Sequence, residues 1–159
     1  MHVGRQWPIR VFLGARVEAS GSGLIALGAG VRIDRDVWLH AEESARLAIG
    51  AGSAVGRRCT LSAAGTIVIG NDVLLGPDVL VVDHTHGRVG HELPYLAQDI
   101  VRRGSIFIED GVWIGKGARI ISGTAPLVIG KGALIGAGAT IRASIPAGAA
   151  ISAGGRTAR

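Results

Sequence analysis

Aromatic residues make up only 4% of this 159-residue chain, and it has a single cysteine, Cys59. One thiol can form no internal disulfide and anchors no cysteine-based metal site, which agrees with a reducing compartment. Lysine is also scarce, so the net charge of +5 rests on arginines, of which only Arg57-Arg58 and Arg102-Arg103 are adjacent. Without interleaved aromatics these arginines offer no surface for stacking nucleic-acid bases, and nucleic acid is excluded as a partner. Most of them serve solubility, and a subset is available to face a phosphate-bearing ligand. No apolar run approaches the about 20 residues that cross a bilayer, and the opening stretch from Met1 to Arg10 lacks the apolar core of a secretory signal. The expectation is a soluble, cytoplasmic protein with no membrane insertion.

Glycine, in contrast, is abundant at 26 residues, and hydrophobic residues make up 48% of the chain, enough to bury the core of one domain spanning 1–159. Excess glycine without collagen periodicity asks for a repeat. An aliphatic residue followed by Gly, Asp or Glu recurs, with a small residue, usually Val, Ala, Ser or Cys, four positions after the aliphatic one. Examples are Leu27-Gly28 with Val31, Ile33-Asp34 with Val37, Val55-Gly56 with Cys59, Ile114-Gly115 with Ala118, and Ile135-Gly136 with Ala139. Such a hexapeptide is a short strand and a turn, with the aliphatic and small side chains pointing inward. Three units close one coil, and stacked coils about 4.8 Å apart pair as parallel sheets. The inward aliphatics group as 27/33/39, 49/55/61, 69/75/81, 108/114/120 and 129/135/141, so all surplus residues leave the coil at one vertex. Val11 and Val17 fit an earlier coil less clearly. The fold class is therefore all-β, a single-stranded parallel β-helix with one long protruding loop at about 82–107.

That loop opens with Asp83-His84-Thr85-His86 and contains His91. Long loops on rigid scaffolds carry function, and a histidine can accept a proton near neutral pH as an acyl group moves to a hydroxyl or amine. His84 is the first candidate base, and His86, two residues on and on the same side of an extended segment, is the second. Asp83 either orients an imidazole or caps the turn leaving the strand. His91 reads as a solvated loop residue. Cys59 falls at a small inward position and reads as core rather than nucleophile. Trp113 precedes an inward aliphatic and should project outward.

From Leu27 to Gly155 the chain resembles the hexapeptide-repeat acyltransferases, with the galactoside and maltose O-acetyltransferases and those of polysaccharide biosynthesis most similar. The resemblance rests on the Asp83-His84-x-His86 opening, Val112-Trp113-Ile114-Gly115, Ile135-Gly136-Ala137-Gly138 and the closing turn Ile145-Pro146. It implies a left-handed coil, against the usual right-handed crossover, and a homotrimer with sites between subunits. It implies acetyl-CoA as co-substrate, a sugar or sugar-nucleotide acceptor, no metal, and His84 as general base. Trp113 would stand beside the acyl donor or acceptor, Lys116, Ala137 and Gly138 would contact CoA, and Arg142 would meet its phosphates. Two departures touch CoA binding: the closing segment reads Ala153-Gly154-Gly155-Arg156-Thr157-Ala158-Arg159, and Ala143 stands where a basic residue often follows the last coil. Two other readings remain open at this point. One is a metal enzyme like the gamma-type carbonic anhydrases, suggested by the spacing of His86 and His91; the other is a non-catalytic scaffold.

Overall fold

A computed structural model describes residues 8–87, 94 and 97–153. The described chain winds around three parallel sheets that form the faces of a β-solenoid. The first face stacks Arg10–Val11, Arg32–Ile33, Ala54–Val55, Leu74–Leu75, Trp113–Ile114, Leu134–Ile135 and Ala150–Ile151. The second stacks Arg16–Ala19, Trp38–Ala41, Thr60–Ala63, Leu80–Val82, Arg119–Ile121 and Thr140–Ile141. The third stacks Leu24–Leu27, Arg46–Ile49, Thr66–Ile69, Ile106–Ile108 and Leu127–Ile129. No helix of the described residues is long and apolar enough to cross a membrane.

The inward ladder follows the hexapeptide register. Ile33, Val55, Leu75, Ile114 and Ile135 pair in succession up the first face, and all are buried. The small positions, including Val31, Ser53, Cys59, Ala118 and Ala139, are buried beside them. Burying each large aliphatic side chain contributes about 1.5–3 kcal/mol, so this column is the chief source of stability. Tight stacking explains the glycines: a Cβ on Gly115 would come within 2.6 Å of the Ala137 amide nitrogen in the next coil.

The surplus residues do leave at one vertex, between the second and third faces, but part of them takes a form the hexapeptide pattern does not announce. Strands on those two faces run to four residues in the lower coils, against two on the first face. Ala41, Leu47, Ala63 and Ile67 thereby join the core. Val11 and Val17 keep the register, pairing with Ile33 and Leu39, yet are about half exposed because no described residues stack beyond them.

Cys59 is fully buried, and its Sγ lies 3.1 Å from the Gly76 carbonyl oxygen. Burial pushes its thiol up to about 11 from the ordinary 9.0. A folded-state value above the unfolded one gives stability that is complete below about pH 9 and is lost as pH rises toward about 11. Thiol reagents at pH 8 should leave Cys59 unmodified until denaturant is added, which a colorimetric thiol titration checks.

Candidate active site

The large insertion between Val82 and Ser105 is rooted by an antiparallel hairpin, with His84–His86 paired to Ile100–Arg102 in the register His84↔Arg102 and His86↔Ile100. Its extended outgoing strand sets His84 and His86 on alternate residues, as the sequence suggests. His84 is held at the root, its side chain 17% exposed, while His86 lies further out and is exposed. The returning strand is tied to the coil: the Arg102 guanidinium donates to the Glu43 carbonyl oxygen at 2.8 Å, and the Arg103 amide donates to the Asp83 carbonyl oxygen at 2.7 Å.

Asp83 and Ser122 break a column of alanines. On the second face Ala41 pairs with Ala63, and Asp83 and Ser122 continue that inward line just beyond the paired residues Val82 and Ile121. The Asp83 carboxylate is buried at 1% exposure and accepts the Ala64 amide at 2.7 Å and the Gly65 amide at 2.9 Å. Its Oδ1 also lies 3.4 Å from His84 Nδ1. Asp83 thus lies against the His84 ring and bonds the turn of the coil below instead of the turn leaving its own strand. In the tautomer that carries its hydrogen on Nδ1, that N–H faces the carboxylate and Nε2 is the acceptor nitrogen.

Beside His84 opens a pocket of about 490 Å³ that Thr85, Arg103, Ser122 and Arg142 help to line. A second, more apolar groove of about 630 Å³ runs along the first face and its corner with the second. Its floor is the outward column Leu74, Trp113 and Leu134, which pair in succession; Arg32, Lys116 and Ala137 stand at its rim. Trp113 projects outward as expected and is 52% exposed. Gly138, one residue past Ala137, has φ of 70°, a left-handed conformation that glycine adopts without strain.

Trp113, Lys116 and Ala137 are therefore brought together on one face, and Asp83 and His84 at the far vertex. Arg142 joins the His84 pocket instead of the groove. Sequence reasoning missed Arg103, Ser122, Arg32, Leu74 and Leu134. The last two carry a readable signal: a large apolar residue immediately before an inward aliphatic must face outward, where a solenoid of solvated surface would be polar. His91 and the closing residues 154–159 lie outside the described residues. Among the described residues no group of three or more His, Cys, Asp or Glu is placed to hold a metal ion.

These features define a class by architecture, a single-stranded parallel β-solenoid, here with a hairpin inserted at a vertex. Solved structures superpose on the fold. The N-acyltransferase AntD from Bacillus cereus, in complex with dTDP and 3-hydroxybutyryl-CoA, superposes with a TM-score of 0.74 at 21% identity over 95% of this chain and 79% of that one. A hexapeptide-repeat acetyltransferase from Vibrio cholerae complexed with acetyl-CoA gives 0.59 at 18% over 92% and 70%. A maltose O-acetyltransferase from Clostridium difficile gives 0.56 at 21% over 92% and 70%. No protein-family model and no curated protein sequence matches the chain. At these identities the likeness is one of fold.

Proposed function

We propose that this chain transfers an acyl group, most simply acetyl, from its CoA thioester to a hydroxyl or amine of a sugar or sugar-nucleotide acceptor, with His84 as general base. The observation that carries this reading is His84 itself, which lines a pocket and has one ring nitrogen beside a buried carboxylate. His84 Nε2 takes the acceptor proton as the oxygen or nitrogen attacks the thioester carbonyl, and CoA leaves as the thiolate. No covalent enzyme intermediate is needed, and Cys59 is too deeply buried to form one. The groove fits a CoA donor: Leu74, Trp113 and Leu134 offer apolar contact for the pantetheine arm, and Arg32 and Lys116 offer cations for phosphates. Solved relatives of the fold bind CoA or acetyl-CoA, which supports the same donor here.

The groove and the His84 pocket stand on different faces, with the width of the second sheet between them. Completion of a site by the hairpin of one chain over the groove of the next accounts for this, and a closed homotrimer in the cytoplasm is the proposed form. The function is tested by supplying acetyl-CoA with a panel of sugars and sugar nucleotides and following free thiol. Released CoA dependent on one acceptor supports it, and absence of acetyl-CoA binding ends it. Shared sites have their own signature. Equal mixing of His84→Ala with Trp113→Ala chains, each inactive alone, should restore about one quarter of wild-type activity after subunit exchange, because one neighbouring pair in four combines the two intact halves. Complete sites within each chain would give no recovery.

A further inference from the structure

One buried side-chain polar atom among the described residues has no hydrogen-bond partner: Ser122 Oγ, in a residue only 4% exposed. It continues the inward line that runs through Ala41, Ala63 and then Asp83 in the coils below, and it lines the pocket beside His84. A buried hydroxyl without a partner is destabilising, and alanine at that position would be the better choice for folding alone. Two arginines, Arg103 from just beyond the returning strand Ile100–Arg102 and Arg142 from just beyond Thr140–Ile141, line the same pocket, and among the described residues neither meets a carboxylate. The nearby carboxylate, Asp83, is turned to two backbone amides and to His84 and forms no ion pair with either arginine. Two cations without an ion-pair partner among the described residues and a waiting hydroxyl around about 490 Å³ make a receptor for a small anion.

We propose that this pocket selects an acceptor bearing an anionic group, phosphate or carboxylate, within about one sugar ring of the hydroxyl or amine that His84 deprotonates. Arg103 and Arg142 bind the anion and Ser122 donates to the same ligand. The inference rests on the acyl-transfer reading for its account of what the ligand is, and on the pocket alone for its charge. CoA also carries phosphates, but Arg32 and Lys116 stand ready for those in the groove on the other face.

The test titrates inorganic phosphate and, separately, acetate into the intact protein while the His84 imidazole signals are followed by NMR, assigned by their loss in His84→Ala. Acetyl-CoA affinity is measured in parallel. In the wild type one or both probes should shift the His84 signals saturably, the stronger naming phosphate or carboxylate as the group. Arg103→Gln and Arg142→Gln should each weaken that binding by about tenfold or more and leave acetyl-CoA affinity within about twofold. Ser122→Ala should weaken it too, while raising the melting temperature by about 2–6 °C through removal of the orphan hydroxyl. Probe shifts unchanged in both arginine variants overturn the inference, as does a loss of acetyl-CoA affinity with probe binding intact, which would assign the arginines to CoA. If the wild type binds the probes through these arginines but does not bind acetyl-CoA, the anion pocket stands and the acyl-transfer reading falls.

Discussion

His84→Ala should lower turnover by a factor of about 10² to 10⁴, the usual contribution of a positioned general base, with folding and acetyl-CoA affinity nearly unchanged. The separation follows from position. His84 stands at the hairpin root, outside the aliphatic column, and the groove that fits the donor lies on another face. His86→Ala is the control: His86 is exposed and further from the coil, so its loss should change turnover less than about threefold. Steady-state kinetics with calorimetric titration of acetyl-CoA checks both. If His86→Ala is the inactive variant, the base has been misassigned within the pair; if neither change affects transfer, this loop does not supply the base.

Ile114→Asp and Ile135→Asp should each abolish soluble folded protein. Both side chains are buried within a column whose neighbours above and below are aliphatic, so a carboxylate there has no partner and its desolvation costs several kcal/mol. Added to the lost aliphatic burial, that penalty is comparable to the whole stability of a domain, about 5–15 kcal/mol. Ile114→Val, which keeps the column filled to within one methylene, should cost only about 0.5–1.5 kcal/mol. Expression in the soluble fraction and a melting curve decide the matter, and a cooperative native-like melt for either aspartate variant would contradict the register.

The column was legible because its period is enforced by packing: each inward position must be aliphatic for the coil above to sit on it, so Leu39, Val55, Leu75 and Ile129 announce themselves by spacing alone. The vertex where residues accumulate was legible for the same reason, since only there does the spacing lapse. The length of the strands beside it was not. Ala41 and Leu47 enter the core through residues that, by count, could have formed a loop. The pocket beside His84 was legible only in part. His84 stands out by residue type, but Arg103, Ser122 and Arg142 come from three separate segments, and only closure of the coils brings them to one wall. Ser122 is the clearest case: a serine in sequence is unremarked, and its meaning comes from the three-dimensional fact that its hydroxyl has no partner among the described residues.

Across the inserted hairpin, Leu75 pairs with Ile114, thirty-nine residues on, whereas Val55 reaches its partner Leu75 in twenty. The entropy of closing a loop grows only with the logarithm of its length, so this near-doubling costs about 0.6 kcal/mol, less than one buried aliphatic side chain returns. A solenoid of this design can therefore exchange one hairpin for another at that vertex with little thermodynamic resistance, while any lengthening at the corner holding Gly115 would break the stacking on which the coil above depends. Three of the pocket's residues, His84, Thr85 and Arg103, belong to the replaceable piece, and the groove to the fixed one. On the proposed function, a new hairpin would bring its own base and acceptor contacts and leave the groove as it is.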